Sequence, residues 1–266
     1  MNEKTAQFSL RGLFQPRDLT EGTPWKTILA FALPIIISYL LQQVYTISDA
    51  AIVGQTLTAG EVAGVNDTTS IIFIFLQFAF GVSAGFCVVT AAEVGAHHEA
   101  GVRRSLAAQI LLSAALTVLL TGLALLLLKP MLAWINVTPE SPEVYRAAHT
   151  YCAIIFAGIG AQLFYNFICS FLRSMGDSVT PLLFLLFSTI LNIGLDLLFI
   201  VSFHWGVAGA AIATVAAQLI STVGCFLYAF VKYPKLRLHR EDWQVTLGDM
   251  RRHLGQGIPL GLQFSE

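Results

Sequence analysis

Long apolar runs separated by short polar segments dominate the chain, and each run has the length of about 20 residues that a helix needs to cross a membrane. Six such runs are present, at about 27–53, 64–91, 105–128, 148–171, 180–202 and 207–231. The segments between them contain glycine and proline, which end helices. A transmembrane barrel would instead show alternating segments of about ten residues. The pattern therefore predicts an all-α polytopic membrane protein.

Composition agrees with this prediction and excludes other classes of protein. Of the 266 residues, 56% are hydrophobic and 12% are charged, whereas about a quarter are charged in an ordinary soluble domain. The mean hydropathy is +0.71. The net charge of −1 supplies no basic field for nucleic acid. We therefore expect membrane lipid around the protein and no nucleic-acid partner.

Basic residues are distributed unevenly between the two sides of the predicted membrane. If the amino terminus lies inside, 13 of the 15 lysines and arginines fall on the inner side, and only Lys129 and Arg146 fall on the outer side. Positive residues accumulate on the cytoplasmic side of membrane proteins. The sequence thus predicts a multi-pass protein of the cell membrane with a cytoplasmic amino terminus.

The polar stretch after the sixth run predicts how the chain is divided. The expected parts are a cytoplasmic amino-terminal segment, a six-helix lobe, a cytoplasmic linker and the start of a seventh helix, at residues 1–26, 27–231, 232–253 and 254–266. Residues 29–34 and 254–259 both end in a small residue, an aliphatic residue and proline, and both follow a polar segment. We interpret them as openings of two repeats, so that the chain is one lobe of a two-lobed transporter whose second lobe is the missing partner.

The motifs of soluble enzymes and metal centres are absent from the sequence. It contains no phosphate-binding glycine loop, no cluster of metal ligands and no nucleophile with a plausible base. The four cysteines, whose spacings fit neither a disulfide framework nor a zinc site, are interpreted as small buried hydrophobic residues: Cys87, Cys152, Cys169 and Cys225. We predict no enzymatic activity and no cofactor.

Acidic residues within the apolar runs are the candidate functional groups. A charge at the centre of a membrane helix costs about 2.5–3.5 kcal/mol on insertion scales, so it usually faces a cavity or a partner. Asp49 and Asp196 fit this description. Asp49 lies about 24 Å deep if the hydrocarbon core begins near Leu33. Asp67 and Glu93 lie near the ends of the second run, where water or head groups solvate them.

Polar residues at similar depth accompany these acids. Asn192 and Asp196 are four residues apart and share one helix face. At about 1.5 Å per residue they lie about 17–23 Å from Pro181, and Thr214 lies about 12 Å from Gly206 on the opposite side. The depths agree with a single cation or proton site in the outer half of the membrane. Two carboxylates in such a site cannot both stay ionised without a cation, so a proton and a positive substrate would compete for them.

Two further groups of polar residues are candidate walls of a substrate cavity. Gln42 and Tyr45 share a face of the first span with Asp49, and Gln162 and Asn166 are one turn apart on the fourth span. The alternative is that these residues only hydrogen-bond helices to one another, as polar residues in membranes can.

Several motifs resemble those of multidrug and toxic compound extrusion (MATE) transporters and occur in the same order. They are DLTEGTP at 18–24, FALP at 31–34, YTISDAAIVG at 45–54, LRSMGDSVTP at 172–181, NIGLDLLFI at 192–200 and GVAGAAIAT at 206–214. The resemblance extends from residue 18 to 231. It implies a protein with two six-helix lobes that expels cationic, amphipathic drug-like molecules in exchange for protons or sodium ions.

The resemblance also implies roles for particular residues. Asp49, Asn192, Asp196 and Thr214 would form a cation site in the amino-terminal lobe, with a proton or sodium as the coupling ion. Gln42 and Asn166 would line the wall near the substrate.

Two other functions stay open at this point. A lipid-linked saccharide flippase of the same superfamily is one, although this chain lacks the lysines and arginines deep within spans that usually meet a pyrophosphate group. A non-transporting membrane scaffold, in which the polar residues only hold helices together, is the other.

Overall fold

Helices account for all the regular structure in the computed structural model, which describes residues 24–265. The α-helices are α1 Pro24–Thr56, α2 Ala59–Asp67, α3 Thr69–Gly95, α4 Glu99–Trp134, α5 Pro142–Ala157, α6 Ile159–Ser174, α7 Val179–Asp196, α8 Gly206–Lys232 and α9 Leu247–Ser265. The predicted all-α fold is confirmed. Residues 1–23, with most of the motif at 18–24 and three of the basic residues used for the orientation, lie outside the described part of the chain.

Within the described residues, five helices are long and apolar enough to cross a membrane, namely α1, α3, α4, α7 with the turn that follows it, and α8. The pair α5 and α6 makes a sixth span if the two helices are taken together. All six coincide with the predicted apolar runs. The chain is a multi-pass membrane protein.

The helix of the second span begins at Thr69 rather than at the predicted residue 64, because a separate helix precedes it. Thr58 and Glu61 start α2 with reciprocal hydrogen bonds, from the Thr58 amide to Glu61 Oε2 at 3.0 Å and from the Glu61 amide to Thr58 Oγ1 at 3.2 Å. This is a capping box. At the other end of α2, the buried Thr68 donates its hydroxyl to the carbonyl of Val65 at 2.7 Å, and the chain turns there into α3.

The fourth predicted span, 148–171, consists of two helices rather than one. α5 and α6 are bent by 46° at Gly158. A Cβ atom on Gly158 would lie 2.6 Å from Cγ1 of Val215 on α8, so only glycine lets α8 approach this closely. The bend is thus located where a neighbouring helix contacts bare backbone.

Aromatic and aliphatic side chains fill the interior of the lobe. The rings of Phe75 on α3 and Phe156 on α5 lie 5.0 Å apart, and those of Phe167 on α6 and Phe226 on α8 lie 5.7 Å apart. All four cysteines are free and buried, which confirms their interpretation as small hydrophobic residues. One side of α1 is uncovered, as the 62% exposure of Leu40 illustrates, and it leaves an apolar surface for lipid or another lobe.

The helix α9 begins at Leu247, seven residues before the predicted start at 254. Thr246 caps it: the Asp249 amide donates to Thr246 Oγ1 at 3.2 Å, and the Thr246 amide donates to Asp249 Oδ2 at 3.0 Å. The hydropathy of the sequence gave no sign of this first part of the helix, because Asp249, Arg251, Arg252 and His253 are polar. α9 packs along α3.

Candidate functional site

The candidate site lies where the second half of α1 meets the end of α7 and the first half of α8. α1 supplies Tyr45 and Asp49, α7 supplies Asn192 and Asp196, and α8 supplies Thr214. On α1 and on α7 the two residues are four positions apart, so each helix presents a pair on one face. α1 packs on α7, and α7 on α8, so these three faces converge.

The structure brings the two intramembrane acids close together. The carboxyl groups of Asp49 and Asp196 lie close enough to interact electrostatically. Asp196 and Asn192 are both 0% exposed, whereas Asp49 is half-buried at the edge of the site. Asp196 therefore lies inside the lobe, and Asp49 lies at its partly exposed edge on α1.

Five buried polar atoms of the two acids and of Asn192 have no hydrogen-bond partner in the described part of the protein. They are Oδ1 of Asp49, both carboxyl oxygens of Asp196 and both polar atoms of the Asn192 amide. Two carboxylates contain no donor between them unless one is protonated. At an effective dielectric constant of about 20, two negative charges about 4 Å apart repel each other by about 4 kcal/mol. A proton or a small cation between the oxygens removes that repulsion.

Two hydroxyl groups border the acid pair. Tyr45 lies beside Thr214, and the Thr214 hydroxyl donates to the carbonyl of Ala210 at 3.1 Å. Two carboxylates, an amide oxygen and a hydroxyl form an oxygen-rich set of the kind that suits a hard cation.

Tyr151 of α5 is a further residue of the site that the sequence reasoning missed. It is close enough to interact electrostatically with Asp49, Asp196 and Tyr45. The sequence gives no signal of this role, because Tyr151 lies in α5, on the other side of the bend at Gly158 from the polar residues Gln162 and Asn166.

A wide turn follows the site directly. Leu197–Ser202 forms a π-helical turn immediately after Asp196, and such turns often occur at functional sites. The chain then reverses tightly through His204 and Gly206, both with φ of 55°, while the rings of Phe199 and Trp205 stack 4.9 Å apart. Hydropathy gave no sign of this turn, because every residue from 197 to 201 is apolar.

The other cavity candidates lie apart from the acid pair. Gln162 accepts a hydrogen bond from Gln218 at 2.7 Å, and Gln218 accepts one from Ser188 at 3.1 Å; these contacts join α6, α7 and α8 inside the lobe. Asn166 is buried and its Nδ2 has no partner among the described residues. Gln42 is exposed on the uncovered side of α1.

A third acid, Asp177, occupies the loop between α6 and α7. Its Oδ2 accepts hydrogen bonds from Lys232 at 2.8 Å, Tyr233 at 2.6 Å and the Thr180 hydroxyl at 2.7 Å, and its Oδ1 accepts one from the Thr180 amide at 3.0 Å. Burial alone would raise the pKa of Asp177, but these hydrogen bonds outweigh it and hold the pKa below its usual value. Asp177 belongs to the motif at 172–181, and nothing in the sequence predicts these contacts.

The chain is similar in sequence to about half of each of two known proteins. The chain is 31% identical over 259 residues to the probable multidrug resistance protein YpnP of Bacillus subtilis, covering 93% of this chain and 54% of that protein. It is 29% identical over 234 residues to the probable multidrug resistance protein YoeA of the same organism, covering 86% and 48%. The chain thus spans about half the length of these curated relatives.

Solved structures share the fold. An outward-facing multidrug resistance MATE family transporter of the MOP superfamily superposes with a TM-score of 0.83 at 24% identity, covering 91% of this chain and 53% of that one. The predicted six-helix lobe of a larger fold agrees with this coverage. The MatE family model matches residues 34–198, more than half of the chain, and the chain therefore belongs to the MatE family.

Proposed function

We propose that this chain is the amino-terminal lobe of a cation-coupled antiporter that exports cationic, amphipathic drug-like compounds by alternating access. The observation that carries the proposal is the proximity of Asp49 and Asp196, two acids whose inward-facing oxygens have no donor among the described residues. A scaffold would not need such a pair, because unpaired carboxylates destabilise a packed interior. The multidrug resistance names of its relatives support the substrate class.

The chemistry of the pair supports exchange between a coupling ion and the substrate. When the site faces outward, a proton or sodium ion binds at Asp49 and Asp196 and neutralises them, and the cationic compound is then released. When the site faces inward and the ion has left, the two carboxylates favour a positive substrate again. The ion and the substrate thus compete for the same negative charge, and each shifts the population of the states that it binds better.

The orientation proposed for the lobe places the amino terminus in the cytoplasm of a cell whose plasma membrane holds the protein. The basic residues of the 95–104 loop and of the linker support it, because Arg103 bonds Asp242 at 3.2 Å and both segments therefore lie on the same side. A cysteine at Glu140 should react with an impermeant maleimide in intact cells, and a cysteine at Arg240 should not. The reverse pattern would overturn the orientation.

Efflux by the complete gene tests the function. We expect Asp196→Asn, which keeps the shape of the side chain and removes its charge, to abolish ethidium efflux from energised cells. The matched control is Asp67→Asn, because Asp67 is an exposed acid at the end of α2 and its replacement should leave efflux unchanged. Unchanged efflux by well-expressed Asp196→Asn protein would refute the role of the pair.

Collapsing each gradient separately identifies the coupling ion. Efflux that stops when the proton gradient is collapsed assigns the proton, and efflux that stops when the sodium gradient is collapsed assigns sodium. Complete absence of efflux from a well-expressed full-length protein would contradict the antiporter and favour the flippase or the scaffold. The 266-residue chain, expressed beside the complete gene, should be inactive if both lobes are needed.

A further inference from the structure

Part of the contact between α9 and α3 is bare backbone. Gly81 and Gly85 of α3 face Gly257 and Gly261 of α9: a Cβ atom on Gly81 would lie 2.6 Å from the carbonyl oxygen of Leu260, and one on Gly85 would lie 2.6 Å from Cα of Gly257. Small residues one turn apart on both helices allow this approach. Side chains hold α9 in place beside this seam: Phe86 and Val82 of α3 lie against Gly257 and Gly261, and Leu254 of α9 packs on the apolar cluster around Phe86. Polar contacts add to that hold.

Ion pairs supply part of that hold on the cytoplasmic side. Glu93 of α3 accepts a hydrogen bond from Arg252 of α9 at 2.8 Å, and Arg104 of α4 pairs with Asp249 of α9 at 3.3 Å. Both arginines are about half exposed and both acids are half-buried, so each pair contributes about 1 kcal/mol.

A buried hydrogen-bond chain adds a further contact, and it has a defined direction. His253 of α9 is 2% exposed, with Nδ1 at 2.7 Å from the carbonyl of Asp249 and Nε2 at 2.8 Å from Oγ of Ser105 on α4. A carbonyl can only accept, so Nδ1 carries the proton. In the neutral ring Nε2 must then accept from the Ser105 hydroxyl.

With the Ser105 proton directed to His253, the hydrogen bonds of the residues that follow Ser105 in the hydrogen-bond chain are also complete. Because the Ser105 proton points to His253, the hydroxyl of Thr90 donates to Ser105 at 2.8 Å, and Gln109 donates its amide to Thr90. Cys87 donates its thiol to Gln109 Oε1 at 3.2 Å. Each donor finds an acceptor, and the chain ends on the neutral histidine.

A protonated His253 reverses this order. Its Nε2 would donate to Ser105, the Ser105 hydroxyl would turn toward Thr90, and the Thr90 hydroxyl would lose its acceptor in this chain. A buried donor left without a partner costs about 1–3 kcal/mol. The charged groups around the ring offset one another: Glu93 on α3 and Asp249 on α9 favour the protonated ring, and Arg252 opposes it, as does Arg104 through its pair with Asp249.

We propose that this contact is a cytoplasmic latch between the two lobes, which neutral His253 holds closed and which proton binding at His253 releases. The proposal rests on the proposed function in one respect, namely that α9 opens the second lobe and that the lobes separate on the cytoplasmic side during transport. It adds a proton-sensitive element that is distinct from the Asp49–Asp196 pair.

The direction of the pH effect follows from the burial of the ring. Burial lowers the pKa of His253 from its ordinary 6.5 in the closed contact. The closed form therefore binds fewer protons than the open form, so the latch is at full strength above pH 6.5 and weakens as the pH falls below it.

Hydrogen exchange of the 266-residue chain in lipid nanodiscs tests the latch without any transport. After correction for the chemical exchange rate, we expect the amides of α9 to exchange faster at about pH 5.5 than at about pH 7.5, with an upper limit of about tenfold. The core helix α6 should change little and serves as the internal reference. Equal protection of α9 at both pH values would overturn the proposal.

Two variants and a control sharpen the test. His253→Gln keeps an acceptor for Ser105 and cannot titrate, so α9 should stay protected at both pH values; a wild-type pH profile in this variant would overturn the proposal. Ser105→Ala keeps the titrating ring, so α9 should be less protected at high pH and should retain its pH response. His239→Gln, at a histidine exposed in the linker, should behave as wild type.

These outcomes are separable from those of the efflux assay. A pH-dependent α9 together with failed efflux would overturn the proposed function and leave the pH-sensitive contact standing. Normal efflux together with a pH-independent α9 would overturn the latch alone.

Discussion

Asp177 and Asp196 are both buried carboxylates, near opposite ends of α7, and the protein surrounds them in opposite ways. Asp177 is 2% exposed and accepts four hydrogen bonds, one of them from Lys232. Asp196 is 0% exposed, and neither of its oxygens has a partner in the described part of the chain. A buried carboxylate with matched hydrogen-bond donors holds helices together, whereas a buried carboxylate without donors stays available to bind an exchangeable cation or proton.

Removing the two charges should have opposite consequences for stability, and this is the largest expected effect. Asp177→Asn leaves Lys232 and Tyr233 without the carboxylate that binds them, so we expect a loss on the order of 3 kcal/mol in the free energy of unfolding. Asp196→Asn removes a charge that no group compensates, and it should leave stability unchanged or raise it. Denaturant unfolding of both variants in the same detergent measures the difference.

The pH dependence of the first variant checks its mechanism. The folded pKa of Asp177 lies below its ordinary value of 3.8. Its contribution is therefore complete above that value and is lost only as the pH falls through the lower, folded pKa. The gap between wild type and Asp177→Asn should be constant from about pH 8 to about pH 5. A gap that closes within this range would show that the ion pair is not its source.

Stabilisation of the protein by sodium should depend on Asp196 and not on Asp177, and this effect should be smaller than the previous one. If the Asp49–Asp196 pair binds sodium, then sodium at about ten times its dissociation constant stabilises the protein by about 1.4 kcal/mol relative to choline at equal ionic strength. Asp49→Asn and Asp196→Asn should lose this increment, and Asp177→Asn should keep it on a less stable background. An increment that survives Asp196→Asn would place the ion elsewhere; none in wild type would leave the proton as the coupling ion.

The smallest effect is expected at the border of the site. Tyr151→Phe removes one hydroxyl beside the acids and retains the ring, so we expect ion binding to weaken by about 0.5–1.5 kcal/mol, or about twofold to tenfold. The free energy of unfolding without sodium should be unchanged. Tyr145→Phe, on the same helix but with a ring that contacts His149, is the matched control. Equal effects of both variants would remove Tyr151 from the site.

The spans and the acid pair could be predicted because they depend on composition and on helix geometry alone. Apolar length defines a membrane helix, and a rise of about 1.5 Å per residue converts sequence position into depth. Asp49, Asp196 and Thr214 were selected on this basis, and they converge in the structure. Depth alone cannot show that two groups are close together, so their proximity came only from the packing of α1 on α7.

The features that were missed depend on neighbours distant in sequence. The bend at Gly158 exists because Val215 of α8 approaches it, and no local pattern contains that information. Tyr151 joins the site only because α5 is packed beside α1. His253 resembled a residue of a solvated linker, and its burial follows from the position of α9 against α3 and α4. In each case contacts between residues distant in sequence determine the bend, the position or the burial, and the local sequence does not predict them.

The four glycines between α3 and α9 carry a consequence for how this protein can evolve. At positions 81, 85, 257 and 261 even a single added methyl group would lie 2.6 Å or less from an atom of the opposite helix. At Gly81 and Gly85 that atom is backbone, so no shortened side chain makes room for a methyl group; at Gly257 and Gly261 it belongs to the side chains of Phe86 and Val82. A lineage that loses Gly81 or Gly85 must therefore move the two helices apart, whereas a change at Gly257 or Gly261 can be offset by a smaller residue on α3.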